Sequence, residues 1–366
     1  GSSPARRIRL IGAPASRRLR REPFFFVGAM KRARTEAEAE AEAQADAEAE
    51  LDVSQGEEYF RTYGELQVHL LMLGDAPRVG AYVAALRANA GSLEGKAVLD
   101  VGAGSGILSM AAARHGGARR VYAVEATEGA ARLARELVRL NGLGDVVEVV
   151  EGLVESVELP EKVDVIVSEW MGHYLLHESM LDSVLVARDR WLRPGGLMLP
   201  RTARIWASLV EADDLRREVK AYSDFHGLDL SPIAAARLEA QCSEPQVELV
   251  NPERVLTSPR LAWDLGDLAV VQRTALAKHE CDLSFTTLRA GYVAGIALWF
   301  DVGFGQDPGD VVLPTGPGDP ATHWKQTVVY LGSFVSVQAG DSLALRLSMA
   351  QSAENRRQYD ISIETL

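Results

Sequence analysis

The sequence predicts an α/β domain built on a parallel sheet, followed by an antiparallel β-barrel with a helical insertion. Between residues 97 and 199, short apolar runs of strand length alternate with helical periodicity, which is typical of parallel βαβ units. After Pro200 the chain has many short β-rich runs and few helices, which is typical of an antiparallel barrel or sandwich. A length of 366 residues is enough for two such domains.

The elements of the first domain follow a regular rhythm. Residues 59–90 have apolar and aromatic side chains at helical spacing and predict helices. The predicted strands after them are Lys96–Val101, Val121–Glu125, Val146–Val150, Asp164–Ser168 and Leu197–Leu199. The predicted helices between the strands are Ile107–His115, Thr127–Asn141 and Met180–Trp191. We therefore expect an α/β domain over residues 57–199.

The second domain is expected over residues 200–366. Its predicted strands are Ile205–Val210, Ala269–Thr274, Leu283–Thr287, Gly295–Val302, Thr327–Leu331 and Ser342–Ser348. Two helical stretches near 215–222 and 232–240 interrupt this β-rich pattern and predict an insertion.

The N-terminal residues 1–56 predict a disordered tail. Residues 1–29 are rich in arginine, and are either an organellar transit segment or residues that precede a start at Met30. Lys31–Arg34 resembles a short nuclear localisation signal, although basic runs of this length are common on solvated tails. Residues 36–50 alternate alanine with acids and have no apolar face to bury.

Composition and charge exclude several classes of function. A net charge of −12 argues against a nucleic-acid-binding protein and suits a basic partner. No apolar run approaches the roughly 20 residues that cross a bilayer, so no membrane association is expected. With only Cys242 and Cys281 available, a reducing compartment is expected, and no metal site is predicted.

The glycine-rich segment Asp100–Gly106 predicts a cofactor site. It follows a strand and opens a helix, and its glycines Gly102 and Gly104 allow a tight turn and close approach to a ligand. Glu125 ends the next strand, where a carboxylate can accept hydrogen bonds from ribose hydroxyls. The spacing fits a dinucleotide or an adenosyl sulfonium compound, and the G-x-G-x-G order disfavours a pyrophosphate. An ordinary tight turn is the alternative.

Two glutamates on one loop predict a site for a cation. Glu169 ends the fourth strand, where ligands of open α/β sheets bind, and Glu178 follows after a compact loop. Two close carboxylates repel each other unless a cation lies between them, and a guanidinium has donors that match both. The alternative is that Glu178 only begins the next helix, where acids are favoured.

Three motifs resemble those of the protein arginine methyltransferase family, type I. Residues 168–180 resemble its double-glutamate loop, Thr322–Trp324 its threonine-histidine-tryptophan loop, and Tyr59–Tyr63 its N-terminal aromatic motif. The resemblance extends from Tyr59 to near the C-terminus and is strongest to isoform six, particularly its plant-like members. It implies a Rossmann-like S-adenosylmethionine-dependent methyltransferase domain followed by a β-barrel with a helical dimerisation arm at about residues 222–240.

The resemblance also implies roles for individual residues. Glu169, Glu178, His323 and Asp75 would be catalytic, with His323 and Asp75 forming a dyad that accepts or relays a proton. Arg78 would grip the cofactor carboxylate, Glu125 the ribose and Glu155 the adenine. The implied cofactor-binding residues are His69, Arg78, Asp100, Gly102, Gly104, Glu125, Val154 and Glu155. The implied substrate-shaping residues are Tyr63, Met72, Met180 and Trp324.

These implications define the expected activity and its alternatives. The cofactor is S-adenosyl-L-methionine, the partners are basic protein substrates such as histone tails or Arg-Gly-rich proteins, and the assembly is a homodimer in the nucleus or cytoplasm. Leu70 and Leu71 replace two acids that the family commonly has there, which puts cofactor affinity in question. A non-catalytic binding protein and an NAD-dependent oxidoreductase are the alternatives.

Overall fold

The computed structural model of the protein describes residues 66–305 and 310–366. The predicted tail 1–56 and Tyr63 lie outside the described residues. The elements of the first part are α1 (Leu66–Gly74), α2 (Ala76–Ala88), α3 (Ala90–Leu93), β1 (Ala97–Val101), α4 (Ile107–Gly116), β2 (Arg120–Glu125), α5 (Glu128–Leu140), β3 (Val147–Glu151), β4 (Val163–Val167), α6 (Met180–Trp191) and β5 (Leu192–Leu199).

The strands of this first part form a parallel sheet in the order β3-β2-β1-β4-β5. The central strand β1 is buried along its whole length, because it is apolar and covered on both faces. The strand order reverses between β1 and β4, and such a switch point opens a crevice at the carboxyl ends of the strands. Glu125 and the glycine turn lie at that end of the sheet.

Local sequence explains where the helices begin and end. Asp75 caps α2, because its Oδ1 accepts a hydrogen bond from the Arg78 backbone N–H at 3.1 Å. Gly106 and Gly117 flank α4 in the left-handed conformation, which glycine adopts without steric cost. On α5, alanines and a valine form the buried face, so that helix packs closely on the sheet.

The second part is antiparallel and carries two helices. Its elements are β6 (Thr202–Glu211), α7 (Asp213–Ala221), α8 (Ser231–Cys242), β7 (Gln246–Glu248), β8 (Arg260–Asp267), β9 (Lys278–Thr286), β10 (Gly291–Gly303), β11 (Val312–Pro314), β12 (Gln326–Val337), β13 (Ser342–Gln351) and β14 (Tyr359–Thr365). One sheet has the order β7-β12-β10-β6-β8, with β11 beside β10, and a second has the order β14-β13-β9. The predicted fold class is confirmed.

One predicted strand, Ala269–Thr274, is wrong. The Asp267 side chain accepts a hydrogen bond from the Ala269 N–H at 2.9 Å, and the Asp267 carbonyl accepts bonds from the next two amides. This turn is followed by a 3-10 helix at Arg273–Leu276. The turn has a structural use, because Arg188 on α6 donates from its Nη1 to the carbonyls of Leu268 and Val271 and ties the two parts together. Within residues 66–305 and 310–366, no helix has the length and apolar character of a membrane span.

Candidate active site

The glycine turn after β1 forms the floor of a deep cleft. Gly102, Gly104 and Gly106 have φ values of 71°, 55° and 76°, a conformation that strains residues with a Cβ. The N–H groups of Gly102 and Ala103 donate to the carbonyl of Val124, which holds the turn against β2. A Cβ on Gly102 would lie 2.3 Å from Cε of Met180. Because glycine has no Cβ, the Met180 side chain can lie directly against the backbone of the glycine turn.

Glu125 is fixed at the end of β2 beside this turn. Its Oε2 accepts the Gly104 N–H at 2.8 Å, and its Oε1 accepts the N–H and hydroxyl of Thr127 at 2.8 and 2.7 Å. The side chain is almost fully buried. Hydrogen bonds from three directions hold the carboxylate in one orientation at the cleft wall, as a ribose-binding acid requires.

Most of the predicted site residues meet in this cleft. The cleft encloses about 1140 Å³ of empty space, with the open solvent at its mouth included. Of the predicted residues, those that line it are His69, Met72, Arg78, Gly102, Gly104, Glu125, Val154, Glu155, Glu169, Glu178 and Met180. The predicted residues that are described but do not line it are Asp75, Asp100, His323 and Trp324.

Glu169 is bound by an arginine of its own chain. Its Oε2 accepts hydrogen bonds from Nε and Nη2 of Arg78 at 2.9 and 2.7 Å, and its Oε1 accepts the Met171 N–H at 3.1 Å. Burial alone would lower the pKa of Arg78, but the Glu169 carboxylate outweighs it and the pKa of Arg78 is raised. The cation and the carboxylate therefore form a charged pair in the cleft wall.

Glu178 lies outside helix α6 and also lines the cleft. Helix α6 begins at Met180, and both Glu178 and Ser179 have left-handed backbones, with φ values of 74° and 51°. The alternative in which Glu178 only begins the helix is therefore not supported. The loop that carries Glu178 has two more such residues, Tyr174 and Leu175, and this backbone returns the second carboxylate to the cleft.

Arg357 is a cleft residue that the sequence analysis missed. It lies in the turn between β13 and β14, and its Nη1 donates to the Glu178 carbonyl at 3.2 Å. Its own carbonyl accepts the Glu178 N–H at 2.5 Å. No local motif marks this arginine, because 179 residues separate it from Glu178.

The predicted dyad of His323 and Asp75 is formed, but it borders a neighbouring pocket. Nδ1 of His323 lies 2.7 Å from Oδ2 of Asp75, which also accepts the His323 N–H at 2.9 Å. Burial would raise the pKa of Asp75, yet the hydrogen bonds from His323 and Arg78 outweigh it and the pKa is lowered. The pocket beside the dyad is also lined by Leu70 and Leu71. Neither leucine lines the cleft formed by the described residues.

Trp324 supports the double-glutamate loop without lining the cleft. Its Nε1 donates to the carbonyl of Met171 at 2.7 Å, and its carbonyl lies 3.3 Å from Nδ1 of His173. The indole is buried and packs edge-on against Phe300 of β10. Trp324 therefore contacts the double-glutamate loop from the barrel side.

Asp100 was predicted to bind the cofactor, but its side chain does not line the cleft. Its carboxylate is fully buried, its Oδ2 accepts the Ser109 hydroxyl at 2.6 Å, and its Oδ1 has no hydrogen-bond partner within the described part of the chain. Burial raises the pKa of Asp100 to about 7. Its visible contact joins β1 to α4, under the glycine turn.

Replacing Asp100 with asparagine is expected to make the stability less dependent on pH. Because the pKa of Asp100 is raised on folding, the folded state binds the proton more tightly, and this stabilisation is present at low pH and lost as the pH rises through about 7. We expect the wild type to lose about 2–3 kcal/mol relative to D100N between about pH 5 and pH 8. Urea unfolding at both pH values measures this, and parallel changes in the two proteins would contradict it.

The residues of the cleft fit an adenosyl sulfonium ligand. At Gly102 there is no room for a Cβ beside Met180, so the backbone itself faces the ligand space. The carboxylate of Glu125 is held in one orientation at the position expected for ribose binding. Nε2 of His69 is buried and has no hydrogen-bond partner among the described residues, so a polar group of a ligand can satisfy it. The described residues contain no group of three or more side chains that could hold a metal ion.

Comparison with known proteins identifies the family. Residues 98–196 match a methyltransferase domain, and residues 201–365 match the arginine methyltransferase oligomerization subdomain. The chain is 37% identical over 343 residues to the probable protein arginine N-methyltransferase 6 of Arabidopsis thaliana, an alignment that covers 84% of this chain and 78% of that protein. It is 41% identical over 309 residues to protein arginine N-methyltransferase 6 of Xenopus tropicalis, with 82% and 88% covered.

Solved structures agree with these matches. Protein arginine methyltransferase 10 of Arabidopsis thaliana, described as uniquely open, superposes with a TM-score of 0.75 at 36% identity. The PRMT1 enzyme–prozyme heterotetrameric complex of Trypanosoma brucei with AdoHcy also superposes with a TM-score of 0.75, at 34% identity. Each superposition covers 83% of this chain and 94% of the other.

The fold and the cleft together define an S-adenosylmethionine-dependent methyltransferase. The chain belongs to the protein arginine N-methyltransferase family. It transfers methyl groups from S-adenosylmethionine to arginine side chains of proteins, as the sequence predicted. The oxidoreductase alternative is thereby set aside.

Proposed function

We propose that Glu169 and Glu178 together bind the substrate guanidinium and that the products are monomethylarginine and asymmetric dimethylarginine. The observation that carries the proposal is that both carboxylates line the same cleft as the glycine turn and Glu125. Each carboxylate can accept N–H bonds from the planar guanidinium and fix its orientation. Met72 and Met180 border this space, and in the proposal they leave room for a second methyl group on the same nitrogen.

Further cleft residues hold the cofactor in this proposal. Glu125 accepts hydrogen bonds from the ribose hydroxyls, and Glu155 with Val154 contacts the adenine. Arg78 binds the carboxylate of the methionine part. His69 offers its Nε2, which has no hydrogen-bond partner among the described residues, beside the glycine turn. The bound cofactor supplies an electrophilic methyl group on a sulfonium centre.

The two glutamates also activate the guanidinium. Their negative charges draw the cation's positive charge toward the nitrogens that they contact, so the remaining nitrogen regains lone-pair character and can attack. Holding that nitrogen in line with the methyl group supplies much of the rate. The nitrogen that has taken the methyl group from sulfur then releases a proton, which passes through a neighbouring carboxylate to solvent. The pair of His323 and Asp75, with Nδ1 and Oδ2 2.7 Å apart, is the proposed acceptor or relay of this proton.

Product analysis tests the proposed specificity. The full chain is incubated with labelled S-adenosylmethionine and either an Arg-Gly-rich peptide or a histone-tail peptide, and the products are identified by mass spectrometry. We expect monomethyl and asymmetric dimethyl product. Symmetric product would overturn the type I assignment, whereas cofactor binding without any product would favour the non-catalytic alternative.

The substrate class and location are part of the proposal. A net charge of −12 favours basic partners such as histone tails or Arg-Gly-rich proteins, because an acidic surface raises their local concentration. The proposed location is the nucleus, the cytoplasm or both. The basic segment Lys31–Arg34, which lies outside the described residues, favours the nucleus as one of these locations. A role in histone methylation and chromatin regulation follows if histone tails are methylated in cells.

A homodimer is the proposed assembly, with the arm at about residues 222–240 as its contact. The arm lies within the matched oligomerization subdomain. The loop between α7 and α8 exposes Phe225 and Leu228 by 43% and 63%, and Ile233 on α8 is exposed by 50%. Neighbouring apolar side chains exposed to this extent favour burial against a second copy of the chain.

Charged substitutions in the arm are expected to separate the subunits. The double variant F225D/L228D places two charges in the proposed apolar contact, and we expect it to elute as a monomer where the wild type elutes as a dimer. Light scattering coupled to gel filtration measures the mass. The matched control is L288D, since Leu288 is 64% exposed but lies outside the arm. A monomeric wild type, or an unchanged mass of the double variant, would contradict the proposed interface.

A further inference from the structure

The backbone that presents Glu178 is strained, so something must hold it. Glu178 and Ser179 are consecutive non-glycine residues with left-handed φ values of 74° and 51°. This conformation is unfavourable for a residue with a Cβ, and it persists where the surrounding contacts outweigh the residue's own preference. The contacts that hold this pair therefore decide where the second glutamate of the cleft points.

A turn of the barrel domain makes these contacts. The carbonyl of Arg357 accepts the Glu178 N–H at 2.5 Å, and the carbonyl of Arg356 accepts the Ser179 hydroxyl at 2.6 Å. Both carbonyls belong to residues 352–358, which connect β13 to β14. The end of the double-glutamate loop is thus bonded to a segment of the other domain.

The turn is itself rigid. Oδ1 of Asn355 accepts the Arg357 N–H at 2.9 Å, the Asn355 carbonyl accepts the Gln358 N–H at 2.9 Å, and the Gln358 carbonyl accepts the Ser352 N–H at 2.9 Å. A side-chain oxygen bonded two residues onward is a typical turn-stabilising contact. Hydrogen bonds within the turn therefore also hold the segment whose carbonyls accept hydrogen bonds from Glu178 and Ser179.

Gln351, the last residue of β13, joins the turn to the loop. Its side-chain amide nitrogen donates to the Arg356 carbonyl at 2.8 Å. The same nitrogen lies 3.3 Å from the Ser179 hydroxyl and 3.4 Å from Oδ2 of Asp182, in the first turn of α6. One amide therefore reaches the turn, the strained pair and the helix that follows it.

We propose that Gln351 is a positioning residue for arginine methylation, which fixes the backbone at Ser179 and through it the direction of the Glu178 carboxylate. This inference rests on the proposed function, in which Glu178 binds the substrate guanidinium. Gln351 does not line the cleft, so its effect on the reaction is indirect and passes through the backbone at Ser179. A displacement of about 1 Å in a group that orients the substrate can lower the rate by about 100-fold.

The variant Gln351→Leu tests the proposal, because leucine has a similar size and no amide. We expect kcat for an Arg-Gly-rich peptide to fall about tenfold, the size that the loss of one orienting hydrogen bond produces. The dissociation constant for S-adenosylmethionine, measured by calorimetry, should stay within about twofold, since the cofactor residues are untouched. The matched control is Gln358→Ala in the same turn, whose exposed side chain makes no hydrogen bond within the described residues.

A double-variant cycle separates positioning from general stability. Ser179→Ala removes the hydroxyl that bonds to the Arg356 carbonyl, so Q351L/S179A should lose no more activity than the larger of the two single effects. A fall in melting temperature with unchanged kcat would overturn the proposal and leave Gln351 with a structural role only. Independent, multiplying losses would also overturn it. Failure of the wild type to methylate any peptide would instead refute the proposed function, so the two failures are distinguishable.

Discussion

Replacing Glu169 with glutamine is expected to reduce arginine methylation about 10³-fold, which is the cost of losing a preorganised charged partner of the reacting group. Glutamine has the same shape but no charge, so it can accept only weaker hydrogen bonds from the guanidinium and cannot draw its positive charge. The Arg78–Glu169 pair, with Nη2 and Oε2 2.7 Å apart, is lost at the same time. Initial rates at saturating peptide and cofactor measure the effect.

Cofactor binding by E169Q shows whether Glu169 binds the substrate guanidinium or only pairs with Arg78 to hold the cofactor site together. With Glu169 neutral, Arg78 remains in the cleft as a cation, and we expect the affinity for S-adenosylmethionine to be kept or to increase. The matched control is Glu161→Gln, because Glu161 pairs with Arg119 at 2.8 Å on the protein surface, away from the cleft. That control should keep full activity. Near-wild-type turnover of E169Q would contradict the proposal that Glu169 binds and activates the substrate guanidinium.

The parallel half of the fold was predictable because its signals are local. Residues 97–101 are a short apolar run between polar flanks, and the structure buries them as the central strand. The glycine turn after them needs three left-handed residues, and glycine is the residue that permits this. Glu125 was predictable for a similar reason, since a carboxylate that ends the strand beside a glycine turn must face the same crevice.

Features that depend on contacts between distant segments were not predictable from one sequence. Trp324 reaches the carbonyl of Met171 across 153 residues, and Arg357 reaches Glu178 across 179 residues. Neither residue stands in a periodic pattern that indicates these contacts. The family resemblance identified Trp324 as a site residue, but it did not indicate the contact with Met171. Arg357 was not predicted at all.

The errors in the prediction have local physical causes. The segment 269–274 is rich in residues that favour strands, but the side chain of Asp267 accepts an amide two residues onward and starts a turn. Asp100 stands in the glycine motif, yet the alternation of a strand places its side chain under the turn, where it bonds to Ser109. A motif identifies the neighbourhood of a residue, whereas the direction of its side chain depends on the packing around it.

Replacing Gly102 with alanine is expected to weaken S-adenosylmethionine binding by about tenfold to a hundredfold, or roughly 1.4–2.8 kcal/mol, because the new Cβ pushes the Met180 side chain into the space of the cofactor. The φ of Gly102 is 71°, and its new Cβ would lie 2.3 Å from Cε of Met180. Met180 has a flexible side chain and can swing away, but the space it enters is the cleft that it lines. Calorimetry with the cofactor and with its demethylated product measures the loss.

The control for Gly102→Ala is Gly95→Ala, which separates backbone strain from obstruction of the cleft. Gly95 has a φ of 70°, close to that of Gly102, but a Cβ there would meet no atom within 4 Å. Both variants should therefore lower the melting temperature by a similar amount, because they impose the same conformational penalty. Only G102A should lose cofactor affinity. If the two variants bound S-adenosylmethionine with equal affinity, the cofactor would not contact the backbone at Gly102. The assignment of this cleft as the cofactor site would then be wrong.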